Sequence, residues 1–372
     1  MKIGILTFQD AINFGAQLQC LAMQEILKVM GHQPQVIQLE FSRRRAFYRG
    51  IGIKKNGIIK AVMIMISRML FAKRMRQQFV QYKNKYLNLS PVCTIDTIAH
   101  IANQYDAIIT GSDQIWGWSG HSHATYFIGW EPTFPGRRIS YAPCCAKNQT
   151  EERHRERIAN LLHRYDHISV RNQTTYDFVN QLTGIIPPIV ADPTFLISFD
   201  KYISQTPKAP YSHYIVAYII GNEIEGGHSS IIKGIRQEIG NIPVISIVLS
   251  ENSPLWCSWA DKTYRTLNPI DWLNLLYYSS FVYTDSFHAS VFALKFHKRF
   301  IAYYAEEARA SRFIDMASRY NLSRWIITDN QDAVKKESYR LTPDFASTDK
   351  LLQAQIHESL QFLQTALASD QL

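Results

Sequence analysis

The residues best suited to chemistry lie in one short stretch of the C-terminal half. An apolar strand pattern, Phe281–Tyr283, leads through a polar turn into a helix pattern, His288–Phe296. Asp285 or Ser286 would cap this helix, and His288 would lie in its first turn. Free N–H groups and the dipole at a helix start attract phosphate or carboxylate, and a histidine there can hold the anion or transfer a proton. The same pattern also suits a purely structural helix cap.

Two pairs of polar residues follow predicted strands in the N-terminal half. Asn13 and Gln17 open a helix after the strand Lys2–Thr7. Asp113 and Gln114 lie in a loop that begins with small residues, where the backbone can approach a ligand closely. Because the carboxyl ends of parallel strands meet at one edge of a sheet, both pairs are candidates for lining a site there. The alternative for the first pair is helix capping and a solvated first turn.

Arg171 directly follows another predicted strand, His167–Val170. An arginine at this position lies at the rim of the sheet's crevice, and its planar fork suits a carboxylate or a phosphate. A salt bridge at the rim is the competing interpretation.

Strand and helix patterns alternate through both halves of the chain. This alternation predicts an α/β protein with two Rossmann-like domains. The polar, proline-containing segment 198–212 is the expected linker, which gives domains at 1–200 and 211–345 and a C-terminal helix within 346–372. The first β-loop-α-β unit lacks the GxGxxG fingerprint, so no dinucleotide is expected.

The composition predicts a well-packed protein of a reducing compartment. The chain has 372 residues, of which 46% are hydrophobic and 19% charged, so a large core can form. The N-terminus has a strand pattern without the apolar core of a signal peptide, and the longest tempting apolar run, 61–66, is too short to span a membrane. The five cysteines form no CxxC pair and indicate no metal site.

Positive charge is concentrated in an insertion at residues 42–90. Thirteen Lys and Arg lie between residues 43 and 85, and Asp and Glu are absent from 41–95, although the net charge of the chain is only +9. This distribution argues against a general nucleic-acid coat and for one anionic docking surface. Apolar residues within 58–70 could share a helical face. Such a helix would either pack on the core or meet anionic lipid or a lipid-linked acceptor.

Several short motifs, taken together, resemble the polysaccharide pyruvyl transferase family. They occur in the family's order and span most of the chain. The motifs are NFGAQLQ at 13–19, GSDQIW at 111–116, SYA at 140–142, SVR at 169–171, DPT at 192–194, TDSFH at 284–288 and Ser311-Arg312 at a helix start.

The resemblance implies a GT-B-like fold with two Rossmann-like domains facing a cleft. It implies phosphoenolpyruvate as the donor and a sugar as the acceptor, with a pyruvate ketal and phosphate as products and no cofactor or metal. His288 would be the catalytic residue. The donor-binding candidates are Arg171, Asp285, Ser286 and Arg312, with the donor on the C-terminal domain. The acceptor-binding candidates are Asn13, Gln17, Asp113 and Gln114, with the acceptor on the N-terminal domain.

The chemistry of this donor requires such residues. Phosphoenolpyruvate carries a phosphate and a carboxylate, which need cations or helix N-termini. Its enol ether must take a proton at the methylene carbon before a sugar hydroxyl attacks, and histidine is the usual acid near neutral pH. Asp113 or Asn13 would steer the hydroxyl.

Two other functions fit the same sequence. One is a GT-B-like glycosyltransferase that uses a nucleotide sugar, and the other is a non-catalytic glycan-binding protein of the same fold. The expected partners are phosphoenolpyruvate and a sugar or lipid-linked oligosaccharide, with peripheral contact to an anionic membrane and no nucleic acid. The expected location is the cytoplasm, including the inner face of the cytoplasmic membrane.

Overall fold

Two parallel β-sheets of six strands each organise the chain in the computed structural model. The structure describes residues 1–40, 58–117, 121–130, 133–145, 150–203, 209–249 and 257–368. The first sheet contains Lys2–Leu6 (β1), Gln33–Leu39 (β2), Leu89–Cys93 (β3), Ala107–Thr110 (β4), Arg137–Ser140 (β5) and His167–Ile168 (β6). The second contains Ile215–Tyr218 (β7), Val244–Ile247 (β8), Lys262–Tyr264 (β9), Phe281–Thr284 (β10), Arg299–Tyr303 (β11) and Ile326–Ile327 (β12).

Helices connect the strands and cover both sheets. Those in the N-terminal half are Phe14–Val29 (α1), Ile58–Tyr86 (α2), Ile98–Ala102 (α3), Glu152–Leu162 (α4), Gln173–Thr183 (α5) and Asp200–Ile203 (α6). Those in the C-terminal half are His228–Ile239 (α7), Pro269–Tyr278 (α8), Phe287–Lys295 (α9), Glu307–Arg319 (α10), Asn330–Lys335 (α11) and Phe345–Leu367 (α12). Short 3₁₀ helices occur at His121–Phe127 and Pro193–Phe195.

The central strands are buried along their whole length. Every residue of β4 and of β10 is inaccessible to solvent or nearly so. Strands covered by helices on both faces consist of nearly continuous apolar runs, which is typical of parallel sheets. The strand orders, β3-β2-β1-β4-β5-β6 and β12-β11-β10-β7-β8-β9, are both the Rossmann order.

In each sheet the strand order reverses between two central strands. The reversal lies between β1 and β4 in the first sheet and between β7 and β10 in the second. Open α/β sheets bind ligands outside the carboxyl ends of the strands at this reversal. The loops that follow β1, β4 and β10 carry Asn13, Asp113 and Ser286. The topology therefore directs these residues to the ligand-binding crevices.

Aromatic packing joins the two halves of the molecule. Phe14, at the start of α1, stacks on Trp272 of α8 with ring centroids 5.5 Å apart, and it lies 5.6 Å from the ring of Tyr218. All three side chains are fully buried. The C-terminal helix α12 returns to the first sheet, where Arg137 Nη1 donates a hydrogen bond to the Ala366 carbonyl at 2.9 Å.

The predicted alternation of strands and helices is confirmed, with local differences. The strand expected over 167–170 is shorter, because Val170 pairs with Ile189 only in an isolated bridge. The expected linker, 198–212, contains the short helix α6. The patterns do not predict β9, which is short and polar, or α11. The domain limits stay predictions.

The described part of the basic insertion contains more regular structure than the sequence patterns predict. Residues 41–57 lie outside the described part of the chain. The helix expected near residues 58–70 continues as α2 over 29 residues. The patterns do not predict β3, which follows α2 and pairs with β2 in parallel. The insertion therefore leads directly into an edge strand of the first sheet.

We expect Phe14→Ala to lower the free energy of unfolding by about 3–5 kcal/mol, the usual cost of truncating a buried phenylalanine. The cavity would open between α1 and α8, so the interface between the two halves would weaken. Urea unfolding followed by tryptophan fluorescence measures the change. Val29→Ala on the same helix, where the side chain is 80% exposed, serves as the control and should change stability by less than about 0.5 kcal/mol. Equal effects of the two variants would contradict the packing role of Phe14.

Candidate functional site

The N-termini of two helices, α1 and α9, meet where the two sheets face each other. A β-carbon on Gly15 would lie only 2.3 Å from Cβ of His288, so this contact requires glycine. Asn13 caps α1 by accepting a hydrogen bond from the Ala16 N–H at 3.1 Å, and Ser286 caps α9 as predicted. Both helix dipoles thus place partial positive charge near His288.

Arg171 lies at the centre of a buried polar cluster. Its Nη1 donates to Asp192 Oδ2 at 2.7 Å and to Ser112 Oγ at 3.2 Å. Its Nη2 donates to Asp113 Oδ1 at 3.2 Å and to Cys144 Sγ at 2.8 Å. Arg171 therefore forms a salt bridge, as one interpretation of the sequence held, but the bridge is buried rather than at an exposed rim.

Phe287, the first residue of α9, connects this cluster to the second sheet. The Arg171 guanidinium lies 4.7 Å from the centre of its ring, and the Arg312 guanidinium lies 5.9 Å from it. Two cationic groups thus share one aromatic ring, an arrangement stabilised by the negative potential of the ring face.

His288 faces the same cluster. Its Nε2 lies 3.4 Å from Asp192 Oδ2, an ion-pair distance when the ring is protonated. Within the described part of the chain, this nitrogen is buried and has no partner with hydrogen-bond geometry. The second oxygen of Asp192 accepts from the amide and hydroxyl of Thr194 at 3.1 and 2.7 Å. The hydrogen bonds from Thr194 therefore hold the Asp192 carboxylate in place independently of its contact with His288.

Arg312 is the least paired cation of the site. It lies in α10 and is half-buried. Its Nε is buried and has no hydrogen-bond partner among the residues that the structure describes. Burial and the nearby charge of Arg171 lower its pKa, although Cys144 and Asp113 oppose the shift. A guanidinium in this state would gain most from an anionic ligand.

The two carboxylates remain ionised despite their burial. Burial alone would raise the pKa of Asp192, but His288 and Arg171 hold it well below the usual range. Burial likewise acts on Asp113, and Arg171, His288 and Arg312 together lower its pKa. Burial raises the pKa of the Cys144 thiol, so this side chain is neutral at physiological pH. The cluster therefore contains both charge signs in close contact.

Asp285, a predicted donor-binding residue, makes its hydrogen bonds and ion pair within the protein. The Asp285 carboxylate accepts hydrogen bonds from the Ile220 and Gly221 N–H groups at 2.7 and 2.6 Å and pairs with Arg309 at 3.1 Å. Burial raises its pKa even so. These contacts fix the loop after β7. The role of Asp285 in donor binding stays a prediction.

Gln17 is fully buried, so the alternative of a solvated first turn is wrong for this residue. Its Nε2 donates to the carbonyls of Gln9 and Ala11 at 2.9 Å, which shapes the loop before α1. Gln114 is half-buried beside Asp113. The acceptor-binding roles of both glutamines stay predictions.

The sequence pattern alone does not single out four members of the cluster. They are Ser112, Cys144, Asp192 and Phe287. Ser112, Asp192 and Phe287 belong to the recognised motifs GSDQIW, DPT and TDSFH, which was the available signal. No group of three His, Cys, Asp or Glu that could hold a metal ion occurs in the described residues.

The site is closed in this structure. A cavity of about 20 Å³ beside Arg171, Asp192 and Phe287 extends towards Arg319 and Tyr320. This volume holds about one water molecule.

Solved structures with the same fold align along nearly the whole chain. A putative UDP-N-acetylglucosamine 2-epimerase from Listeria monocytogenes is 12% identical with a TM-score of 0.53, and the match covers 95% of this chain and 94% of that one. The Arabidopsis thaliana protein UGT89C1 is 10% identical with a TM-score of 0.53, over 97% and 98% of the two chains. The Methanocaldococcus jannaschii UDP-GlcNAc 2-epimerase is 10% identical with a TM-score of 0.51, over 96% and 100%.

Identities this low show the fold alone, and the fold is the two-domain, Rossmann-like arrangement of GT-B glycosyltransferases and epimerases. A comparison with curated proteins finds no match. The model of the polysaccharide pyruvyl transferase family matches residues 13–306. That range contains the helix N-termini, His288 and Arg171. The chain therefore belongs to the polysaccharide pyruvyl transferase family.

Proposed function

We propose that this protein transfers a pyruvyl group from phosphoenolpyruvate to hydroxyls of a sugar in a cell-surface polysaccharide or its precursor, forming a pyruvate ketal. Membership of the family supports a transferase. The observation that carries the proposal is the position of His288 where two helix N-termini meet, next to Phe287, whose ring two arginines contact. A small dianionic or trianionic substrate suits such a site.

Arg312 is the residue best placed to bind the donor. Arg171 already donates to two aspartates, so a ligand would compete with ionised partners for its N–H groups. Each arginine has a buried Nε without a hydrogen-bond partner in the described residues, but only Arg171 has its other nitrogens paired with carboxylates there. We therefore assign donor binding chiefly to Arg312 and the start of α9, and assign Arg171 to positioning Asp113 and Asp192.

The reaction then needs one proton and two hydroxyl groups. His288 Nε2 gives a proton to the methylene carbon, and a sugar hydroxyl oxygen bonds to the central carbon. Phosphate leaves with the electron pair of its C–O bond, and a second hydroxyl closes the ketal. One hydroxyl proton restores His288, and the other leaves with phosphate. Asp192 pairs with the protonated ring and keeps it in place.

Asp113 is our candidate for orienting the acceptor hydroxyl. Its side chain is 12% exposed, more than the side chains of Arg171 and Asp192 beside it. Because its pKa is lowered, it serves as a hydrogen-bond acceptor better than as a strong base. The side-chain oxygens of Asn13 and Ser286 accept backbone N–H hydrogen bonds at the starts of α1 and α9, the two helices that the donor would face.

Phosphate release tests the function directly. The purified protein is incubated with phosphoenolpyruvate and a panel of activated or lipid-linked sugars, and phosphate and the ketal product are followed. Release that depends on both substrates supports the proposal. Transfer of a sugar from a nucleotide donor, or glycan binding without any turnover, would replace it by one of the two rival functions.

We expect His288→Ala to lower turnover by about 10²–10⁴-fold, the usual effect of losing a general acid or base. The binding of phosphoenolpyruvate should change much less, because the arginines remain. Initial rates and isothermal titration calorimetry separate the two quantities. His297→Ala removes a half-exposed histidine close in sequence and should leave turnover unchanged. Full activity of the His288 variant would exclude this residue as the acid.

We expect Arg312→Ala to raise KM for phosphoenolpyruvate by about ten- to a hundredfold, since a hydrogen bond to a charged group is worth about 1.5–3 kcal/mol. Steady-state kinetics at saturating acceptor give KM and kcat separately. Arg324→Ala, at an exposed ion pair, is the control. An unchanged KM for the Arg312 variant would move donor binding to another cation.

Arg171→Ala should lower stability in a pH-dependent way. Asp113 and Asp192 have folded pKa values below the ordinary value of 3.8, so their stabilising effect is present above about pH 4 and is lost as the pH falls further. The variant leaves both carboxylates buried and short of a partner, at a cost of about 3–5 kcal/mol near pH 7.

The difference in unfolding free energy between the parent and the variant should become smaller on acidification, because protonated, neutral carboxyl groups no longer require a cationic partner. Urea unfolding of the parent and the variant at pH 7 and near pH 3, below the ordinary carboxyl pKa, measures the gap. A gap of equal size at both pH values would show that Arg171 acts through packing rather than charge.

A further inference from the structure

Helix α2 exposes a second apolar face that the fold does not use. Five large apolar side chains of its first turns are between 38% and 77% exposed. Their spacing of three and four residues places them on one side of the helix. They are Val62, Met65, Ile66, Met69 and Leu70.

The opposite face of α2 packs on the protein. Ile64, Ala72, Met75 and Phe79 are buried, and Met75 and Phe79 belong to the large core that includes α1. The core-packing interpretation of this helix is therefore confirmed for one face only. Packing on the core does not explain the exposed face. Isolated exposed apolar residues are common, but contiguous apolar patches mark interaction sites.

The charge around this face indicates its partner. Lys73 and Arg74 follow the apolar residues and are exposed. No Asp or Glu occurs within residues 41–95, which contain thirteen Lys and Arg. A helix with an exposed apolar face and a basic flank is typical of interfacial membrane binding. No helix in the described part of the chain is long and apolar enough to cross a bilayer.

Other partners fit this surface less well. Two copies of the chain that met through α2 would bring the two basic regions together, because a two-fold contact uses the same patch on both sides. Nucleic acid would satisfy the positive charge but would leave the apolar side chains without a counterpart. An anionic lipid surface matches both properties at once.

We propose that the exposed apolar face of α2 docks peripherally on a bilayer that contains anionic lipid. Val62, Met69 and Leu70 would lie at the boundary of headgroups and acyl chains, and Lys73 and Arg74 would contact the headgroups. The rings of Phe79, on the same helix, and Phe14 pack with their centroids 5.2 Å apart. Docking would therefore hold the N-terminus of α1, and with it the site at His288, near the membrane surface.

Vesicle sedimentation tests this proposal without any substrate. The full-length protein is mixed with vesicles of phosphatidylcholine, or of phosphatidylcholine with phosphatidylglycerol, at low and high salt. We expect binding only to the anionic vesicles, with weaker binding as salt rises.

Two double variants separate charge from apolar contact. Lys73→Glu with Arg74→Glu should weaken binding by at least about tenfold, since each basic residue contributes roughly 1 kcal/mol. Met69→Ser with Leu70→Ser should weaken it by a similar factor. Two exposed pairs elsewhere serve as matched controls and should bind like the parent. They are Lys233→Glu with Lys350→Glu, and Ile186→Ser with Val334→Ser.

Three results would overturn the proposal. The first is equal sedimentation with neutral and anionic vesicles. The second is that the matched controls weaken vesicle binding equally, which would mean that the net charge or overall hydrophobicity of the protein determines binding. The third is a dimer in analytical ultracentrifugation that only the Met69 and Leu70 variant dissociates, together with no vesicle binding, which would assign the face to a second copy.

Discussion

The buried guanidinium of Arg171 is the interaction on which the site depends. It holds the loops after β4 and β5 and the segment before the 3₁₀ helix at 193–195, through Asp113, Cys144 and Asp192. It also stacks on Phe287 at the start of α9. A buried charge is costly unless it is paired and hydrogen-bonded. These partners must therefore occupy fixed positions, and the same contacts fix Asp192 next to His288.

This arrangement also determines how a substrate can enter. Arg171, Asp192 and His288 are all buried, and the adjoining cavity of about 20 Å³ is far smaller than phosphoenolpyruvate. A ligand that reached His288 through this cavity would require the two sheets to separate, as domains of two-domain enzymes commonly do. Separation would break the contacts of α9 with Gly15 and Arg171 but would leave the ion pairs of Arg171 intact. The first-domain half of the site would stay organised while the cleft is open.

The sequence predicts which residues of this site follow the ends of strands, but it does not predict which side chains contact each other. Strand-turn-helix patterns locate Asp113, Arg171 and His288 at the carboxyl edges of two sheets. Contacts between the two halves, such as those of His288 with Asp192 and of Phe287 with Arg171, bring those edges together. The patterns do not predict where each side chain points. Asp285 and Ser286 are neighbours, yet one binds the loop after β7 and the other caps α9. The DPT motif contains Asp192, but the pairing of Asp192 with Arg171 and His288 is seen only in three dimensions, because these partners are distant in the chain.

Helix α2 shows why periodicity leaves such questions open. Its first turns are apolar on more than one side, so the pattern indicates a helix but does not tell which face the protein covers. The structure answers this, since Met75 and Phe79 are buried while Met69 and Leu70 are exposed. Charge then distinguishes among partners for the remaining face. The proposed donor site and this face both contain positive charge, but Arg171 in the site is paired with buried aspartates, whereas α2 has no acidic residue at all. Unbalanced charge beside an apolar surface suits an anionic interface. A guanidinium such as that of Arg312, whose Nε lacks a partner in the described residues, suits a small bound anion.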